Sequence, residues 1–215
     1  STKAGEIDVK SPDHPTLTLP ANPTQKLPAF NLKRSGGFEG LAMSKDGTKA
    51  YGLLEGPLYN AEGQVEKTED GATGLRIIEL DVASKSWTGR TWLYPLAEGG
   101  EAIGDFNMLD DTTALVIERD NGAGTADKAC ADPKKPEENC FAVPAKVKRI
   151  YKIEMSDANV GKAARKIGYI DLMKSADPDG KARQGSANGI YTMPFVTIEN
   201  VDRVDATHII VGNDN

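Results

Sequence analysis

The sequence predicts an all-β fold built from repeated antiparallel hairpins. Three observations carry that expectation. Apolar runs of strand length recur along the chain, separated by turn signals. Helical periodicity is scarce. The 215 residues include Gly 22 and Pro 12, so turns are frequent.

Residues 1–36 are rich in Pro, Thr, Lys and Asp and read as an extended N-terminal segment with one short alternating piece, Leu17-Thr18-Leu19. Residues 37–215 read as the folded domain. It opens with GFEGLAMSKDGTKAYGLLEGP, two strands joined at Lys45-Asp46-Gly47, where Gly accepts the positive φ that a hairpin turn demands. LRIIELDV and GRTWLYPL follow as two more strands. IGDFNMLDDTTALVIERDNG is a second hairpin, turning at Asp110-Asp111. KRIYKIEM and RKIGYIDL form the next pair. VTIENVDRVDATHIIVGNDN is a third hairpin, turning near Asp205. DANVGKAARK and DLMKSADPDGKARQG are the stretches with room for a turn or two of helix, the second broken by Pro178 and Gly180.

The three hairpins share one plan. Each has an acid near its start (Glu39, Asp105, Glu199), an Asp in its turn, and an acid where the second strand ends (Glu55, Glu118 with Asp120, Asp214). One further pair of strands lies between successive hairpins. The unit is therefore four antiparallel strands, repeated at irregular intervals because of insertions at 56–73 and 121–146. That pattern predicts a β-propeller; the alternative is a β-sandwich whose hairpins merely look alike. Two complete units and half of a third are countable, whereas a propeller closes with about four or more blades. The chain is accordingly expected to be part of a longer protein, its remaining blades supplied by the same precursor or by a second chain of it.

ALVIERDNG, residues 114–122, poses the functional question: an apolar strand runs directly into Glu118-Arg119-Asp120. One answer is that strands end at the surface, where charge is solvated. The other is that matched acids from several blades converge near an axis. Bare carboxylates held close repel one another and raise each other's pKa values. A hard cation removes the penalty, and oxygen ligands suit Ca²⁺. Glu39, Glu55, Asp105, Glu118, Glu199 and Asp214 are the candidate metal ligands. Glu118, Arg119 and Asp120 are the candidate catalytic group, with Arg119 placed either to pair with the two acids or to meet an anionic substrate such as phosphate, which its fork geometry suits.

Composition bounds the rest. Charged residues are 27% and hydrophobic ones 39%, ordinary for a globular chain, and the net charge of −6 argues against a nucleic-acid partner. No run of 18 apolar residues exists to span a membrane, and the polar opening STKAGEIDVK does not read as a signal peptide. Cys130 and Cys140 flank a polar loop, CADPKKPEENC, and are expected to form a local disulfide in an oxidising compartment, periplasmic or secreted. They have no nearby His with which to hold zinc. No G-x-S-x-G elbow and no Walker loop are present. DPDG at 177–180 reads as a plain turn rather than a calcium loop, because Lys181 stands where a third ligand belongs. His14, in a Pro-rich loop, and His208, in a strand, read as structural or solvated.

The segments GGFEGLAMSKDGTKAYGLLEGPL, IGDFNMLDDTTALVIERDNG and TIENVDRVDATHIIVGNDN resemble the phytase-like family ("esterase-like activity of phytase") from about Gly36 onward. The family pattern around Glu39, Glu55, Glu118 and Asp120 is intact; at the third segment Glu199-Asn200 stands where the family more often has Glu-Gly. The resemblance implies a secreted or periplasmic propeller that hydrolyses small phosphate esters with calcium. Two functions remain open: a metal-dependent phosphoesterase, and a non-catalytic propeller stabilised by calcium that serves as a binding module.

Overall fold

The computed structural model describes residues 2–4, 7–15 and 30–214, and among them every regular element is a β-strand or a single turn of 3-10 helix. The alternating piece at Leu17–Leu19 lies outside the described residues. The chain divides into two compact units. One comprises the described residues up to Ala97 with Phe106–Ala114 and Ile153–Arg165; the other comprises Glu98–Asp105, Leu115–Lys152 and the chain from Lys166 onward.

The first unit opens with a short antiparallel pair, β1 (Thr2–Ala4) and β2 (Ile7–Val9). It continues with β3 (Phe38–Met43), β4 (Lys49–Leu54), β5 (Gly74–Asp81) and β6 (Ser86–Pro95), which form one antiparallel sheet in sequence order. The central strands are apolar nearly throughout because both faces of the sheet are covered. On one face Leu54 and Ile78 join Val9, Leu32 and Leu58, with Trp87 packed against them. On the other face Tyr51 and Trp92 meet edge to face, their ring centroids 6.2 Å apart. The edge strand β3 alternates instead: Gly40 and Ala42 are buried while Glu39, Leu41 and Met43 are exposed.

A second four-stranded antiparallel sheet contains β7 (Ala102–Met108), β8 (Thr113–Arg119), β9 (Lys148–Glu154) and β10 (Arg165–Asp171), in the order β10-β9-β8-β7. The second unit adds a small sheet of β11 (Ser175–Ala176), β12 (Ser186–Ala187) and β13 (Ile190–Tyr191), with β13 central. It also holds a hairpin of β14 (Ile198–Arg203) and β15 (Ile209–Asn213). The fold is all-β, of four-stranded antiparallel sheets, as the hairpin repeat predicts.

The repeat is visible atom by atom in the turns. In all three hairpins an aspartate accepts from the residue two positions on. Asp46 Oδ1 takes the N–H of Thr48 at 3.0 Å and its hydroxyl at 2.8 Å. Asp110 Oδ1 takes the N–H of Thr112 at 3.0 Å. Asp205 Oδ1 takes the N–H of Thr207 at 2.7 Å. These bonds favour the charged carboxylate. The Thr48 N–H, then the Ser44 and Thr48 hydroxyls, hold Asp46 down at about 2. Asp205 is held down by the Thr207 N–H and by His208. A depressed carboxyl stabilises the fold above the unfolded value of about 4, and that contribution disappears as pH falls through the folded value. Thermal melts are therefore expected to hold above about pH 4 and to drop between about pH 4 and 2. Replacing the three turn aspartates by Asn should flatten that drop; an unchanged acid limb in the triple variant would refute the assignment.

The first strands of successive hairpins also abut. Where β3 meets β7, a methyl on Gly40 would lie 2.5 Å from Cβ of Phe106. Where β7 meets β14, a methyl on Gly104 would lie 2.0 Å from the Ile198 carbonyl oxygen. Next to that contact Asp105 Oδ2 accepts the N–H of Val201 at 2.8 Å, satisfying a backbone donor of β14.

One helical expectation is met by a single turn, and two expectations need correction. DANVGKAARK holds only the 3-10 turn Asp157–Asn159, capped reciprocally by Ser156 and Asn159, before β10 begins. DLMKSADPDGKARQG forms no helix. Gly180 has φ +61°, and Asp177 ties the turn by accepting the N–H groups of Lys181 at 2.8 Å and Ala182 at 3.2 Å. His208 stands in the third turn, beside Asp205, rather than in a strand. DPDG is a plain turn, and Cys130 and Cys140 are joined in a disulfide.

Candidate functional site

Two of the predicted acids sit at β-bulges. The β3–β4 register slips between Phe38 and Gly40, and the β14–β15 register slips between Ile198 and Asn200. Glu39 and Glu199 are thus the extra residues in matching places. A bulge turns a side chain away from the regular pleat, so the shared phase of these acids has a backbone cause. Glu39 is exposed, and Glu199 is partly so.

The strand ends match as well. Glu55 donates its N–H to Gly37 at 2.8 Å, and Asp214 donates to Thr197 at 2.8 Å. In the second hairpin the residue at the same separation from the turn aspartate (Asp46 to Glu55, Asp110 to Arg119, Asp205 to Asp214) is Arg119, and here the bond is reversed, its carbonyl accepting the N–H of Glu101 at 3.0 Å. A cation therefore occupies the strand-end position that acids occupy in the other two hairpins. Glu118 and Asp120 flank it.

All three members of that cluster are buried: Glu118 is 0%, Arg119 8% and Asp120 8% exposed. Charge at such depth is tolerated only when paired, and each residue has a partner brought by tertiary structure. Lys166 Nζ lies 2.5 Å from Glu118 Oε2 and 3.7 Å above the centre of the Tyr151 ring. Arg119 reaches Glu199 at 3.6 Å and donates to Asn121 Oδ1 at 3.0 Å. Lys148, fully buried, lies 2.9 Å from Asp120 Oδ1 and donates to the Asp120 carbonyl at 2.7 Å.

Asp120 also organises the chain around it. Its Oδ2 accepts the N–H groups of Lys146 at 2.7 Å and Val147 at 2.9 Å, and Oδ1 accepts that of Gly122 at 3.1 Å. Burial pushes this carboxyl up, but Lys148 and the Val147 and Lys146 N–H groups outweigh it, leaving Asp120 below its ordinary value. Burial pulls Lys148 down against the opposing pull of Asp120, and pulls Lys166 down against that of Glu118.

The predicted residues are thus partly gathered. Asp105, Glu118, Arg119, Asp120, Glu199 and Asp214 belong to the second unit; Glu39 and Glu55 belong to the first. Lys148, Lys166 and Glu101 were not foreseen. They sit 28 and 48 positions beyond their partners or open the strand opposite, and no short-range pattern marks them.

The donor set does not present a ready calcium cage. Glu118 is held by Lys166, the carboxylate of Asp120 is held by four donors, and no three His, Cys, Asp or Glu side chains among the described residues gather as ligands.

The fold and this strand end define an all-β protein whose three hairpins repeat an Asp turn and a charged terminus, the first and third with an acid at a bulge. The chain belongs to the phytase-like family, described as "esterase-like activity of phytase", whose model matches residues 5–215. The match begins well before Gly36, where the resemblance of the motifs begins. Comparison with curated proteins and with solved structures found no match.

Proposed function

We propose that the chain is a hydrolase of small phosphoric esters, acting in the periplasm or outside the cell. The observation that carries this reading is the family match over residues 5–215. The disulfide accords with an oxidising compartment, and no helix of the described residues is long and apolar enough to cross a membrane.

In this reading Arg119 meets the phosphoryl group, its planar fork matching phosphate oxygens. Glu118 and Asp120, held by Lys166 and Lys148, fix the strand end that carries it, and Glu199 and Asn121 are the groups that position its guanidinium. Calcium, when bound, would supply charge to polarise a phosphoryl oxygen. Among the acids of the second unit Glu118 is engaged by Lys166, Glu199 by Arg119 and Asp105 by the Val201 N–H, so these side chains as they stand form no ready site for it.

A second reading, a non-catalytic binding module stabilised by calcium, is favoured by the burial of Glu118 and Asp120. An assay with p-nitrophenyl phosphate and with phytate separates the two, run with calcium and after chelation. Turnover is expected, falling about a hundredfold in Arg119→Ala, the scale of losing one charge-stabilising donor. Absence of turnover by the folded chain in every condition would sink the hydrolase and leave the binding module.

A further inference from the structure

A cleft of about 470 Å³ opens in the first unit. It lies beside Tyr51 of β4, Glu79 of β5, Arg90 and Trp92 of β6, Asp111 of the second turn, and Asp157 of the 3-10 turn. Its volume is in the range of small-molecule sites.

Its polar groups are unbalanced. Glu79 is only 4% exposed, and it sits where the β5–β6 register slips between Ile78 and Leu80, which turns it out of the pleat. A carboxylate this deep needs a positive partner. Its cation is Arg90, whose Nε reaches Glu79 Oε2 at 3.3 Å. Arg90 is shared: its Nη2 bonds Asp157 Oδ1 at 2.5 Å, and its guanidinium lies over the Trp92 ring at 5.3 Å. The lining therefore carries three carboxylates, Glu79, Asp111 and Asp157, and one cation, Arg90, which pairs with the first and the last. The adjoining rim carries Lys45 and Asp46, of opposite charge, and Lys49, which is committed to Asp81 at 2.5 Å. Burial and the Glu79 charge push the Tyr51 hydroxyl up, keeping it protonated beside these acids.

The lining thus offers acceptors and negative charge in excess, against aromatic walls. Phosphate would be repelled. A metal ion finds no three ligands gathered among the described residues. A primary ammonium group brings three donors and one positive charge, and an aliphatic stem suits the Tyr51 and Trp92 rings. We propose that this cleft binds an organic primary ammonium ion, held by Glu79 and Asp111 with its stem against Tyr51.

The test is calorimetric titration of the full chain with 1,4-diaminobutane and with its neutral counterpart 1,4-butanediol, at fixed ionic strength. Saturable binding of the diamine below about 10 mM is expected, with none of the diol. Glu79→Gln should weaken it at least about tenfold, and Asp111→Asn, at an exposed position, should weaken it without risk to folding. Equal binding of diol and diamine, unchanged affinity in Asp111→Asn, or calcium binding there in place of the diamine would each overturn the assignment. Phosphatase turnover is not the readout, so the outcome is independent of the proposed hydrolase activity.

Discussion

Asp120→Ala is expected to be among the most damaging single substitutions in the chain, costing about 3–5 kcal/mol. That is the usual penalty for leaving one member of a buried pair without the other. The side chain removed accepts from Lys148 and from the N–H groups of Gly122, Lys146 and Val147, so four donors lose their acceptor at once. Lys148, with no exposure, keeps the Asp120 carbonyl but loses the carboxylate. Lys148→Met should cost less, because the Asp120 carboxylate retains its backbone donors and Met fills the space. The asymmetry is the test. Urea melts should show Asp120→Ala with a much lower midpoint at similar slope, Lys148→Met between it and the parent, and the double variant more stable than the sum of the two losses. Equal losses in the two single variants, or an Asp120→Ala loss under about 1 kcal/mol, would show the pair to be ordinary surface charge.

Gly104→Ala is expected to cost about 3 kcal/mol, at or beyond the upper end of ordinary overpacking. The added methyl would sit 2.0 Å from the Ile198 carbonyl oxygen, 3.1 Å from its carbon and 3.3 Å from Cα of Glu199. All three are backbone atoms at the β14 bulge, so no rotamer change relieves the clash; the strand itself must move. Movement breaks the 2.8 Å bond from Val201 N–H to Asp105 and draws Glu199 away from Arg119. Gly168→Ala on β10 is the control, since a methyl there meets nothing within 4 Å. The expected result is a large fall in melting temperature for the first and almost none for the second. Similar melting temperatures would mean that β7 and β14 do not touch at Gly104.

Local chemistry made much of this protein legible from its residues alone. Strand alternation and the Asp-x-Thr turns are short-range devices, so all three long hairpins and their turns lie where the sequence puts them. The polar loop between Cys130 and Cys140 marked its own disulfide for the same reason. The matched phase of Glu39 and Glu199 was visible as a pattern, although the bulges that produce it were not. The three-stranded sheet of β11, β12 and β13 was missed because strands of two residues carry no periodicity.

The charged strand end is the clearest case of tertiary decision. Glu118-Arg119-Asp120 reads in sequence as a metal-binding or solvated terminus, and the one partner that adjacent residues offer its acids is Arg119. Sheet order places Lys148 and Lys166, from β9 and β10, against residues of β8 and its end, and so neutralises both carboxylates. Burial then makes that pairing obligatory, because a carboxylate without water must find its positive charge within the fold. Which lysines supply it depends on the order in which strands pair, and a single strand does not encode that order.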